Sequence, residues 1–147
     1  MNAPTRLKVL FLCTGNSCRS QMAEGWARQM KGECIDAYSC GIEPRGLDAR
    51  AVRVMAEAGV DISGQRSKGL AELAGIEFDY VVTLCGHARE SCPAFPGKTK
   101  VLHFGFEDPA AAEGSEQDVL ATFRRVRDQI KAFVARLPEA LKQGSKE

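Results

Sequence analysis

Little charge of one sign is left over in this chain. Across 147 residues, 20 Lys and Arg face 19 Asp and Glu, a formal net charge of +1. A near-neutral chain without a basic run carries no electrostatic footprint for a nucleic-acid backbone or an anionic membrane surface. Long apolar runs are absent too: no segment approaches the roughly 20 residues that span a bilayer. Met1–Arg6 is too short and polar for a secretory signal, so the expected location is the cytoplasm. Internal repeats, linkers and low-complexity stretches are missing, which excludes repeat and multi-domain architectures. One domain over 1–147 is expected, its core within about 7–137, and this length buries a sizeable core without covalent staples.

Cysteine is not scarce. Six in a chain of this size are many, and several fall inside apolar segments rather than on a secreted disulfide framework. In a reducing compartment such usage points to catalysis or metal binding.

The apolar pattern gives an alternation of elements. Leu7–Leu12 reads as a buried strand, followed by a helix from Ser20 to about Lys31, with Met22, Trp26 and Met30 four apart on a core face. Ile35–Cys40 reads as a second strand, where Cys34 and Cys40 serve as small core residues. A turn at Glu43-Pro44-Arg45-Gly46 leads to Asp48, the N-cap of a helix through Ala58 that Gly59 ends. A short helix is expected near Lys68–Ala74, a third strand at Asp79–Leu84, a loop at Cys85–Gly97 and a fourth strand at Lys100–His103. Ser115-Glu116-Gln117-Asp118 caps a last helix. Its apolar stripe runs through Val119, Phe123, Val126, Ile130, Val134 and Leu137, and the tail from Lys142 is expected to fray. Strands alternating with helices imply an α/β fold: one three-layer domain with a four-stranded parallel sheet flanked by helices. Ligands of such sheets bind beyond the carboxyl ends of the strands, where Cys13, Cys85 and Gly105–Pro109 all fall.

The densest chemistry lies at Cys13-Thr14-Gly15-Asn16-Ser17-Cys18-Arg19-Ser20, a strand-to-helix turn. Successive backbone N–H groups of such a turn and the following helix N-terminus form a cradle for an oxyanion. Arg19 adds a planar fork of donors suited to a phosphate-shaped anion. The same groups favour a thiolate at Cys13, and such settings bring a cysteine pKa from about 8.5 down to roughly 3.5–7.5. Thr14 to Ser20 are thus the oxyanion-binding candidates and Cys13 the nucleophile. The bland alternative, a buried structural cysteine beside a surface arginine, leaves the coincidence of strand, turn, thiol, arginine and helix unexplained. Cys18, inside the cradle, can pair with Cys13 as a side reaction or protective state and is given no catalytic role.

Attack on a tetrahedral oxyanion needs a proton for the departing oxygen. Asp108, beside Pro109 on the loop after the fourth strand, is the candidate general acid, with Glu107 as its rival. A turn-initiating Asp-Pro pair is the non-functional alternative. Cys85 and Cys92 form the second constellation. Their seven-residue separation is too wide for a zinc knuckle, and no second pair completes four ligands, so no metal is expected even with His87 nearby. They are either two unrelated loop thiols or a redox pair in which Cys85 resolves an adduct on Cys13 and Cys92 then resolves Cys85. Gly97-Lys98-Thr99 imitates the end of a nucleotide-binding loop, but Cys92 stands where its first glycine belongs.

Taken together, Val9–Gly25, Gly41-Ile42-Glu43, Val81–Cys85, Cys92-Pro93 and Gly105–Ala110 resemble the arsenate reductases built on the low-molecular-weight protein tyrosine phosphatase fold, the type recharged by thioredoxin. The likeness covers about 7–137. The first motif speaks only for the shared fold, and the Cys85/Cys92 pair is what points to the reductase. The resemblance implies that the Cys13 thiolate attacks arsenate, with Asp108 helping water to leave. Cys85 then expels arsenite by forming a Cys13–Cys85 disulfide, and Cys92 moves it to Cys85–Cys92 for reduction by thioredoxin. It implies detoxification of arsenic with no bound cofactor and in a monomer, and the relay requires 85–97 to move, with Gly86 and Gly97 as hinges. Some relatives bind potassium through residues matching Asn16, Glu24 and Ser39. Their further acidic ligand aligns with Lys68, whose ammonium is expected to take the cation's place and pair with Glu24.

Two rivals remain. A tyrosine phosphatase of the same fold needs an apolar, usually aromatic wall beside the cradle, whereas Asp108-Pro109 runs into Ala110-Ala111-Ala112. A non-catalytic anion sensor would have no use for paired resolving thiols. Weak phosphatase activity is still expected, because the cradle cannot readily tell arsenate from phosphate.

Overall fold

A computed structural model describes residues 6–95 and 97–144. Four strands form one sheet in the order β2-β1-β3-β4: β1 Leu7–Cys13, β2 Ile35–Gly41, β3 Tyr80–Thr83 and β4 Lys100–His103. Every neighbouring pair is parallel, with Leu12 opposite Cys40 and Thr83, and Val82 opposite Leu102. Going outward from β1, the chain first adds β2 on one side and then β3 and β4 on the other. That order puts a topological switch point between β1 and β3, where a doubly wound sheet opens a crevice.

Alternation along β1 divides the core. Val9 and Phe11 join one buried cluster with Met22 and Trp26 of α1 (Arg19–Lys31), Val54 and Met55 of α2 (Ala49–Glu57), and Phe123, Val126, Ile130 and Val134 of α4 (Glu116–Ala135). Leu10 and Leu12 face the opposite layer, with Leu73, Phe78, Val81 and Ala88. The sheet is therefore covered on both faces, as its continuous apolar strands require. At Cys13 the alternation breaks: its side chain joins the Leu10–Leu12 layer, beside Cys85.

The caps follow the sequence. Asp48 accepts from the Arg50 backbone N–H (2.8 Å) at the start of α2, Ser115 and Asp118 close a reciprocal capping box on α4, and Gly59 takes φ +86° after α2. The expected short helix near 68–74 is a 3₁₀ turn, Leu70–Leu73. Trp26 is buried and its indole N–H donates to the Arg127 carbonyl (3.2 Å).

Two expectations are corrected. The segment after Cys85 is not all loop: Gly86–Ser91 forms a short helix, α3. Glycine and polar residues argue for a loop there, but Cys85 caps the turn by accepting the Ala88 N–H at its sulfur (3.4 Å), and Ala88 packs into the core. Lys142 and Gln143 do not fray but belong to a final helix, α5 (Glu139–Gln143), anchored by the buried Ala140 and Leu141. The rest of that expected frayed tail, 145–147, lies outside the described residues.

Candidate active site

The cradle connects β1 directly to α1. Its carbonyls are tied back, one after another, by the strap that follows β2. Ile42 N–H donates to Cys13 O (3.1 Å), Glu43 to Thr14 O (2.8 Å), Arg45 to Gly15 O (2.9 Å) and Asp48 to Ser17 O (3.1 Å). With the carbonyls facing the strap, the N–H side of the turn faces the cavity, as anion binding demands. Gly41 makes the crossing feasible, since a Cβ there would sit 2.6 Å from Thr14 O.

Beneath the turn lies a buried polar knot centred on Asn16, which adopts φ +48°. Its Nδ2 donates to Ser20 Oγ (2.8 Å) and Ser39 Oγ (3.0 Å), and its Oδ1 accepts from Gln21 Nε2 (3.0 Å) and the Lys68 N–H (2.9 Å). Ser39 donates to Glu24 Oε1 (2.5 Å). Glu24, itself buried, meets Arg28 at 2.6 Å and the Lys68 ammonium at 3.8 Å. The ammonium also donates to Arg66 O (3.0 Å). Asn16, Glu24, Ser39 and Lys68 thus form one connected group. Four satisfied partners lock a left-handed asparagine that would otherwise be strained.

Above the turn opens a cavity of about 380 Å³, lined by Cys13–Arg19, Arg45–Asp48, Asp108 and Ala110. Arg19, the first residue of α1, donates from Nη1 to Phe106 O (3.0 Å) and lies 3.8 Å from Asp108 Oδ2. Asp108 caps a 3₁₀ turn, Pro109–Ala111, by accepting the Ala110 N–H (3.0 Å), which fixes its carboxylate at the cavity. Glu107 is instead held by Arg125 (2.7 Å) and does not line the cavity. Of the two candidate acids, Asp108 is the one that lines the cavity.

Cys13 lines the cavity and meets Cys85, Sγ to Sγ 3.7 Å, although 72 positions separate them. Cys85 accepts the Cys13 S–H and gains further from the Thr14 hydroxyl (3.2 Å), the Ala88 N–H and the charge of Arg19; against the opposing effect of burial, its pKa falls to about 4. Cys13 is pushed well above the ordinary thiol range, first by donating to Cys85 and then by burial, which outweigh Arg19. The two sulfurs are a coupled pair across this contact: the S–H of one stabilises a thiolate on the other, and the charge of Arg19 favours the thiolate on either. Cys18, also at the cavity, is pushed up to about 12 by burial and then by the Asp48 charge.

Cys92 ends α3, is half-buried, and its thiol faces Pro93 O (3.5 Å). Seven residue steps at helical rise put its Cα about 10 Å from that of Cys85, whereas a disulfide needs roughly 4.4–6.8 Å. The geometry joins Cys13 to Cys85, and Cys92 packs against the same apolar layer. His87 lies against Glu43 (3.7 Å), on the outside of α3.

The sequence reading missed the strap 42–48 as a part of the site. The signal was Gly41 followed by a proline turn, read as a connection only. It also missed Arg45 at the cavity mouth and the Thr14–Cys85 contact.

Residues 8–147 match the family described as low molecular weight phosphotyrosine protein phosphatase. An arsenate reductase of Halalkalibacterium halodurans is 52% identical over 122 residues, covering 83% of this chain and 88% of the relative. A solved arsenate reductase in its oxidized state superposes with a TM-score of 0.75 at 35% identity, covering 88% of this chain and 95% of that one. A low-molecular-weight protein tyrosine phosphatase from T. tengcongensis superposes with a TM-score of 0.70 at 29% identity, covering 90% and 98%.

Proposed function

The chain belongs to the low-molecular-weight phosphotyrosine protein phosphatase family, among its arsenate reductases, and we propose that it reduces arsenate to arsenite by a relay through Cys13, Cys85 and Cys92. The observation that carries the reading is the 3.7 Å contact between Cys85 and Cys13, the thiol that lines the oxyanion cavity. A phosphatase has no use for the second thiol. The absence of any aromatic side chain among the cavity-lining residues argues in the same direction.

Arsenate enters the cradle, and Arg19 swings its fork from the Phe106 carbonyl onto the anion's oxygens. The proton of Cys13 passes to Cys85, arming Cys13 as the nucleophile. Cys13 Sγ bonds to arsenic while one oxygen leaves as water with a proton from Asp108. Cys85 Sγ then attacks Cys13 Sγ. The As–S bond breaks, its electron pair stays on arsenic, and arsenite departs with the proton Cys85 held. Two thiols have been oxidised and one arsenic reduced by two electrons. Cys92 attacks Cys85, moving the disulfide to Cys85–Cys92 and returning Cys13 to its thiol.

That last exchange needs α3 to unwind, because its two ends lie too far apart for a bond. Gly86 and Gly97 (φ +74°) are the hinges of this motion. Thioredoxin, a cytoplasmic dithiol donor, reduces the final disulfide, and the reaction serves arsenic detoxification. The ammonium of Lys68 serves Glu24 in place of a bound potassium ion, and no cofactor is bound.

The test is arsenate-dependent NADPH consumption with thioredoxin and its reductase. Cys85→Ser is expected to release no arsenite, and Cys92→Ser to release one per chain and stop as a Cys13–Cys85 disulfide. If both variants turn over like the wild type, the relay is wrong. Rapid hydrolysis of phosphotyrosine with arsenate inert would establish the phosphatase instead.

A further inference from the structure

Arg45 stands at the mouth of the oxyanion cavity without a role in the relay. It is exposed, and no carboxylate among the described residues pairs with it, whereas Arg19, Arg28, Arg50 and Arg66 each have one. Its backbone is pinned by the bond from its N–H to Gly15 O (2.9 Å), and the neighbouring Gly46 N–H is held by Ser67 Oγ (3.1 Å). Its aliphatic stem lies across Gly15: a Cβ at that glycine would meet Arg45 Cδ at 3.3 Å and Arg45 Cβ at 3.5 Å. The bare glycine of the cradle is the place where this stem crosses, so the charge is carried over the turn that binds the anion.

Charge balance says why a second guanidinium is needed. Arg19 faces Asp108 at 3.8 Å, and the charge of Arg50 is taken up by Asp48, bidentate at 2.8 and 3.1 Å. Without Arg45, an incoming dianion is met by Arg19 and the N–H groups of the turn, past the Asp48 carboxylate that also lines the cavity. With it, a cation not taken up by any carboxylate among the described residues stands at the entrance, where the anion arrives.

We propose that Arg45 is a second anion-recognition residue, which draws a dianionic tetrahedral oxyanion into the cradle and gives up contact with it before the sulfur chemistry. The proposal deepens the reductase reading and rests on it for the substrate, but the recognition itself requires only the cavity. An exposed guanidinium acts through a screened field, so its contribution falls with salt.

The test compares wild type, Arg45→Gln and Arg45→Lys in arsenate turnover from low to high ionic strength. It is paired with calorimetric titration of inorganic phosphate into the resting enzyme. Arg45→Gln is expected to raise KM for arsenate and Kd for phosphate in parallel, about fivefold to tenfold, with kcat within twofold. The decline of kcat/KM with salt should become shallower, and Arg45→Lys should recover most of both losses. KM and Kd within twofold of wild type, or an unchanged salt dependence, would overturn the proposal, as would a fall in kcat alone. Wild type that binds phosphate yet reduces no arsenate sinks the reductase reading, while the phosphate titration of the variants still decides the role of Arg45.

Discussion

The cradle 13–20 and the segment 86–97 carry the relay's thiols together with Cys85, which lies between them, and they are built in opposite ways. In the cradle, four carbonyls are laced to the strap, Asn16 is satisfied on every side, and Cys13, Asn16, Cys18 and Ser20 are buried. In the other, Gly86, His87, Arg89, Glu90 and Ser91 are exposed, and of the six residues of α3 only Ala88 is buried. A site that stabilises charge works best when its dipoles are already in place. A thiol that must travel needs a segment whose local opening is cheap, with few buried contacts and a helix too short to hold itself. Cys85 sits at the seam: its sulfur belongs to the rigid floor and its backbone to the segment that yields.

The largest effect is electrostatic. With Cys85 lowered to about 4 and Cys18 and Cys40 raised to about 12, Cys85 is the expected thiolate in mildly acidic solution. Between pH 5 and 7 the thiolate absorbance near 240 nm should be present in wild type and persist in Cys13→Ser, whose hydroxyl still donates to Cys85. Its disappearance from Cys13→Ser would return the charge to Cys13. Because the folded pKa of Cys85 is below its unfolded value, this group makes the fold more stable as pH rises from about 4 toward the ordinary thiol range. The contribution is lost as pH falls through about 4. Cys13, raised above that range, acts in the opposite sense only in alkali.

Next comes the rigid side. Asn16→Ala removes four side-chain partnerships of a buried residue and takes from Ser20 Oγ and the Lys68 N–H the bonds that Asn16 gives them. A loss of about 3 kcal/mol of stability is expected, in the range for a broken buried network. A fall of about a hundredfold in kcat/KM for arsenate should accompany it. Denaturant unfolding and steady-state rates check both. A variant as stable as wild type would show that the knot does not hold the cradle.

Much of this architecture was legible in the sequence. The strand, cradle and α1 run contiguously, so period, turn residues and chemistry coincide in one stretch, and Asp48 and Ser115 announce their helices by local hydrogen bonds. What escaped depends on distant partners. The strap's hydrogen bonds to the cradle join positions about thirty apart, and the pairing of Cys13 with Cys85 is a contact between the end of β1 and the segment that follows β3. Helix α3 was hidden because its stability comes from one buried alanine and a sulfur cap rather than from propensity.

The yielding side gives a smaller effect. Gly86 opens α3, and a Cβ there would meet no atom within 4 Å. Gly86→Ala stabilises the helix by about 0.5–1 kcal/mol, which tightens the element that must unwind. The Cys85–Cys92 exchange should slow about threefold, whereas formation of the Cys13–Cys85 disulfide should keep its wild-type rate. Rapid acid quench with thiol-specific mass labelling separates the two. Equal slowing of both steps would mean that α3 moves before the first disulfide and that the division between rigid floor and moving segment is misplaced.

The smallest expected effect is none, and it concerns the polar knot under the cradle. Glu24 already has two cations, Arg28 at 2.6 Å and the Lys68 ammonium at 3.8 Å. The ammonium is mostly buried and is further fixed by Arg66 O (3.0 Å), so a potassium ion would have to displace a tethered charge without gaining a new anion. Exchanging KCl for NaCl at fixed ionic strength should therefore leave both rate and melting temperature unchanged. Lys68→Gln removes the tethered charge, and in that variant potassium should restore stability that sodium does not. A large potassium-specific gain in the wild type would show that Lys68 does not fill the cation's place, and that the rigidity of the cradle depends on an ion from solution.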